Sequence, residues 1–112
     1  IENLKSILAA KLKIFKAYKN IFKNTKGITL IKAPKYCKSN YWLITVLFED
    51  KKIREKFIRN LSKKGIGSRY TWRPLQSLKI FKDCPSDKLN VSKSIFERTL
   101  NLPSSPVLGI KK

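Results

Sequence analysis

Apolar residues recur at three- and four-residue steps through Leu4, Ile7, Leu8, Leu12, Phe15, Tyr18 and Phe22. That spacing lines one face of an amphipathic helix running from about Glu2 to Asn24, with lysines on the other face and Gly27 beyond its end. Roughly six turns is long for a small domain that buries only one stripe. The pattern then changes period. Ile28, Leu30 and Ala33-Pro34 alternate weakly and predict a short edge strand closed by proline, and Lys35 to Ser39 is a polar connection. Tyr41 to Phe48 is an almost unbroken β-branched and aromatic run, which predicts a core strand buried on both faces.

Asp50 is placed to cap a second helix and Gly65 to close it in the left-handed conformation. Between them Ile53, Phe57, Ile58 and Leu61 form its apolar face, and the lysines and arginines its polar one. A strand from about Ser68 to Arg73 follows, stopped by Pro74, which cannot donate a ladder hydrogen bond. Strand, helix and strand from Tyr41 to Arg73 make a unit that crosses over right-handedly if its strands are parallel neighbours. Sequence leaves the strand directions open. After Gln76 come a short apolar piece (Leu78, Ile80, Phe81) and a turn-rich loop from Asp83 to Asp87. Leu89, Val91, Ile95 and Phe96 predict a helix to about Thr99, and Leu100 and Leu102 a short strand ended by Pro103. Ser104 to Lys112 reads as a loose end. The class is α+β: a small mixed or antiparallel sheet of three or four strands packed with helices.

One stretch has no plain structural explanation. Ser68-Arg69-Tyr70-Thr71-Trp72-Arg73-Pro74-Leu75-Gln76 packs arginines, aromatics and a proline together at a strand end, where loops commonly carry function. Arginine offers a planar charged fork for phosphate or carboxylate, and tryptophan a flat face for a sugar or a base. The plainer reading is a solvated arginine beside a core tryptophan.

The run S-R-Y-T-W-R-P-L-Q, with Leu100-Asn101-Leu102-Pro103-Ser104-Ser105 downstream and Asn40-Tyr41-Trp42-Leu43 upstream, resembles the C-terminal part of the DegT-type aminotransferases. These are pyridoxal-phosphate enzymes acting on nucleotide sugars, and the likeness is to the branch with perosamine synthase and the bacillosamine-type transaminases. The family pattern is close to s-R-x-x-W-[KR]-P-[ML]-H followed by L-P-S-S. Arg69, Trp72, Arg73, Pro74 and Leu75 match it, whereas Gln76 stands where the family has histidine. The resemblance implies the small domain of a fold-type-I aminotransferase, with residues 1–24 as the interdomain helix and 25–112 as the small domain. It also implies a homodimer in the full-length family, and early helix turns that pack on a large domain.

In that family a lysine of the large domain holds pyridoxal phosphate, and glutamate supplies nitrogen to a 4-keto sugar nucleotide. The protein's part is to orient a cofactor that carries the chemistry. No lysine here sits in a fitting context, so no catalytic or cofactor-binding residue is expected in this chain, and no turnover or cofactor binding by it alone. Its expected role is one wall of the substrate site: Arg69 and Arg73 for pyrophosphate or carboxylate, Trp72 for the hexose, Gln76 as an amide donor, and Asn40 and Tyr41 beside them.

Composition narrows the field. The chain has 112 residues, one domain's worth, with 42% hydrophobic residues, so a folded core is expected. Its net charge of +19 points either to a polyanion partner or to lysine-rich coding composition. The spread of lysine along the whole length favours the second. A basic nucleic-acid module remains the alternative, with Tyr41, Trp42, Tyr70 and Trp72 as a stacking platform; otherwise nucleic acid is bound only non-specifically, through net charge. There is no histidine, which excludes histidine-dependent triads and the usual zinc sets within these residues. Cys37 and Cys84 read as reduced, part-buried thiols of a cytoplasmic protein. No apolar run reaches the roughly 18 residues of a membrane span. The chain has no methionine, so it is expected to be part of something longer.

Overall fold

A computed structural model describes residues 2–109. Helix α1 spans Leu4–Phe22, strand β1 Ile28–Leu30, β2 Ile44–Phe48, helix α2 Lys51–Lys63, β3 Arg69–Tyr70, helix α3 Asn90–Arg98 and β4 Thr99–Leu102. Short 3₁₀ turns cover Leu75–Ser77, Lys79–Phe81 and Pro106–Gly109. The strands form one sheet in the order β1-β2-β4-β3, and every neighbouring pair is antiparallel. The expected α+β class is therefore the observed one. Among the described residues no helix is long and apolar enough to cross a membrane.

The two faces of the sheet differ. Register pairs Val46 with Leu100 and Ile44 with Leu102, and these side chains form the core with Leu30, Phe48, Ile14 and Phe15. Thr45 pairs with Asn101, and Leu47 with Thr99, on the opposite face. Tyr41 to Phe48 was expected to be a strand buried on both faces, and the structure corrects both its length and its burial. Only Ile44, Val46 and Phe48 are buried, with Thr45 and Leu47 half-buried. The strand begins three residues late because side chains capture the backbone before it: Tyr41 N–H donates to Ser39 Oγ (3.0 Å) and Trp42 N–H to Asn40 Oδ1 (3.0 Å). Such local bonds compete with a sheet ladder, and Tyr41 accordingly sits at φ 51.

Helix α2 follows its signals closely. Asp50 Oδ1 accepts from Ile53 N–H at 2.8 Å, and Gly65, at φ +69, donates to Ser62 O at the other end. Strand β3 is only two residues long and leaves the sheet before Arg73. It runs parallel to β2, but β4 lies between them, so the β2-α2-β3 unit spans a strand supplied from the C-terminal segment. Leu100 to Leu102 is thus a central strand whose every residue is buried.

The expected loose end is packed up to Gly109, and its last residues, 110–112, lie outside the described ones. A Cβ on Gly109 would come within 2.5 Å of the Ala10 carbonyl oxygen, so the turn lies directly against α1. The buried face of α1 is Ala10, Ile14 and Phe15. Leu4, Ile7, Leu8 and Leu12, which the periodicity places on the core stripe, remain exposed. Cys37 and Cys84 are free and exposed, contrary to the part-buried expectation, because both fall in irregular connections rather than on a packed face.

Candidate functional site

A cleft of about 520 Å³ opens where the segment before β2, the approach to β3 and the end of β4 converge. Its walls include Trp42, Arg69, Trp72, Asn101 and Ser104. Pairing with β4 places Arg69 opposite Asn101, whose Oδ1 accepts the Thr45 hydroxyl at 2.7 Å. Trp42 and Trp72 lean together across the mouth, with ring centroids 5.7 Å apart and planes tilted by 44°. Both indoles stay open, at 65% and 69% exposed. Among the described residues no carboxylate lines the cleft, so Arg69 sets the sign of its field.

The remaining expected residues lie elsewhere. Arg73 faces a separate groove with Lys93, Phe96 and Glu97. Gln76 lines an apolar trench on the Thr71 side of Trp72, and its amide nitrogen is enclosed without a partner. Tyr41 stacks on Phe15 at 4.4 Å, and Asn40 is occupied in capping the Trp42 N–H. Of the six residues, Arg69 and Trp72 share one concave wall, Trp72 and Gln76 border the next, and the other three do not join them. Trp42 and Ser104 were missed as wall residues, although Y-W and P-S-S were visible in the sequence.

One cation was misplaced by periodicity. Arg54 was assigned to the polar face of α2 but is 4% exposed. Its guanidinium donates to the Phe96 carbonyl at 3.0 Å, pairs with Glu55 and lies 4.6 Å above the Tyr70 ring. Tyr70 in turn donates its hydroxyl to Glu55 Oε2 at 2.9 Å. The cluster fixes Tyr70 on the core side of β3 and so presents Arg69 to the other side.

Hydrogen bonds from Arg54 and then from Tyr70 hold the Glu55 carboxyl below its usual range. Its stabilising contribution is complete above the ordinary carboxyl pKa of about 4.3 and is lost as pH falls through the depressed value. Tyr70 runs the other way. Donation to Glu55, then burial, raises its pKa, so its contribution holds below about 10 and is lost as pH rises through the raised value. We predict a melting temperature that declines on both limbs, and Glu55→Gln should flatten the acid one. An acid limb unchanged by that substitution would separate Glu55 from acid stability.

A family model for the DegT/DnrJ/EryC1/StrS aminotransferase family matches residues 1–112. The chain belongs to that family. Solved aminotransferases share its fold. TlmJ from Streptoalloteichus hindustanus superposes with a TM-score of 0.86 at 20% identity, over 96% of this chain and 29% of its own. The putative sugar aminotransferase Spr1654 from Streptococcus pneumoniae, in its PMP form, gives 0.82 at 25%, over 96% and 28%. DesV from S. venezuelae, in complex with a ketimine intermediate, gives 0.83 at 22%, over 96% and 29%. This aminotransferase-family chain therefore spans under a third of the length of each. No curated protein matches it.

The described lysines do not fit covalent attachment of pyridoxal phosphate. Such a lysine needs a free amine in a closed pocket. Every described lysine is exposed except Lys11, and Lys11 is hydrogen-bonded to three backbone carbonyls. The aromatic platform of the nucleic-acid alternative does not assemble either: Tyr41 is stacked on Phe15, and Tyr70 lies under Arg54.

Proposed function

We propose that this chain is the C-terminal small-domain part of a sugar-nucleotide 4-aminotransferase, of the perosamine synthase and bacillosamine transaminase branch. In the whole enzyme glutamate supplies nitrogen to a 4-keto sugar nucleotide, and pyridoxal phosphate supplies the electron sink when bound. Residues 1–24 serve as the interdomain helix and residues 25–112 as the small domain. The chain contributes a wall of the substrate site and part of a homodimer, without turnover of its own.

The observation that carries this reading is the cleft itself, in which one free arginine and two open indoles face the same space. Arg69 binds the pyrophosphate, because charge-assisted hydrogen bonds from a planar fork suit phosphate oxygens. Trp72, with Trp42, covers the hexose and excludes water. Gln76 replaces the proton-exchanging histidine of the family pattern with an amide. It preserves hydrogen bonding but not acid–base exchange near neutrality, so the parent enzyme is expected to differ in activity or substrate preference.

The test is a titration of the chain with a uridine diphosphate hexose, read by tryptophan fluorescence, beside free hexose and a single-stranded RNA. Saturable quenching by the nucleotide sugar, absent with hexose, is expected. Tighter, salt-resistant binding of the RNA would overturn the reading in favour of a nucleic-acid surface.

A further inference from the structure

Lys11 lies midway along α1, and its ammonium donates to the carbonyl oxygens of Ser104 (2.8 Å), Trp42 (3.3 Å) and Tyr41 (3.4 Å). An ammonium has three donors and no acceptor, so all three are committed to main-chain oxygens from the two sides of the tryptophan cleft. Tyr41 and Trp42 belong to the irregular turn before β2, and Ser104 follows the end of β4. The Ser104 hydroxyl closes the arrangement by donating to the same Trp42 carbonyl at 2.7 Å. Two helical turns further along α1, the Tyr18 hydroxyl reaches the Pro103 carbonyl at 3.1 Å.

Besides Lys11, Trp42 is held by the Ser104 hydroxyl and by the stacking of its neighbour Tyr41 on Phe15. Its residue precedes the ladder of β2, its N–H goes to the Asn40 side chain, and its indole is mostly in solvent. We propose that Lys11 is a positioning residue for the cleft: by holding the Trp42 and Ser104 carbonyls together against α1, it sets the separation of the Trp42 and Trp72 indoles. A methionine at this position has the reach but no donor. The Ser104 hydroxyl still bonds the Trp42 carbonyl, but the three ammonium bonds that tie that pair to α1 are gone, and the Trp42 turn can shift away from Trp72. The consequence for ligand binding rests on the proposed sugar-nucleotide role of the cleft, whereas the geometric claim does not.

The chain has two tryptophans, so a circular-dichroism exciton couplet between indoles reports this pair alone. Trp72→Phe marks the level of no coupling. In Lys11→Met the couplet is expected to fall to that level while the cooperative melt persists, and Lys11→Arg, which restores donors, should keep it. A wild-type couplet in Lys11→Met overturns the proposal. Should that variant fail to fold, Lys11→Gln, with one amide donor group in place of the ammonium, is read by the same criterion. Nucleotide-sugar affinity is expected to weaken roughly tenfold in Lys11→Met, equivalent to about 1.4 kcal/mol. Loss of the couplet in a protein whose wild type binds no nucleotide sugar supports the clamp and refutes the ligand reading, so the two fail separately.

Discussion

Truncating Phe48 to alanine is expected to cost the fold about 3–5 kcal/mol, measured by urea unfolding. Phe48 is completely buried, and its ring sits 5.2 Å from that of Phe57, where β2 meets α2. It pairs across the sheet with Ile28, and its carbonyl lies within reach of the Arg98 guanidinium at 3.5 Å. The cavity cannot collapse easily, because β2 is held between β1 and β4 on both edges. A domain of this size has only about 5–15 kcal/mol of stability in all, so the loss should leave a visibly unfolded fraction at modest denaturant. A change below about 1 kcal/mol would place the core elsewhere.

Arg69→Ala should have the largest effect on binding with almost none on stability. The side chain is exposed and has no hydrogen bond or ion pair among the described residues, so stability should shift by no more than about 0.5 kcal/mol. A hydrogen bond to a charged group contributes about 1.5–3 kcal/mol, so affinity for a uridine diphosphate hexose should fall roughly ten- to a hundredfold. Arg69→Lys keeps the charge but loses the planar fork, and should fall between the two. Equal affinity in all three proteins would remove Arg69 from the site.

Sequence carried some features of this molecule further than others. Helix α2 was legible at both ends, because Asp50 and Gly65 act through local geometry and the structure uses both. Helix α1 was legible as a helix and in part of its contacts. Phe15, Tyr18 and Phe22 of the predicted stripe pack on the core, whereas Leu4, Ile7, Leu8 and Leu12 stay exposed and Ala10 and Ile14, off the stripe, meet the core. Periodicity records which face is apolar, not what covers it. Leu100 to Leu102 was legible as a short strand but not as a central one, because centrality in a sheet comes from non-local pairing, here with β2 and β3 at once. Arg54 was misplaced for a related reason. A cation is buried only where partners converge, and its partners include Tyr70 and Phe96, far along the chain.

The site followed the same division. Arg69 and Trp72 were visible as a motif, and they do share a wall. Arg73 does not join it, since the chain leaves the sheet after Tyr70 and Pro74 turns it away. Tyr41 was drawn into the core by Phe15. Trp42 entered the site because its backbone is held by Lys11 and Ser104, neither of which lies near it in sequence.

The two indole N–H signals of Trp42 and Trp72, followed in a ¹H–¹⁵N correlation spectrum as a uridine diphosphate hexose is added, test the central claim most directly. Both should move together with a common saturation, accompanied by the backbone signals of Arg69 and Ser104 and by none from the lysine-rich face of α1. Indole signals that stay fixed while α1 signals move would show that the nucleotide is drawn to net charge, and would contradict the assignment of this cleft.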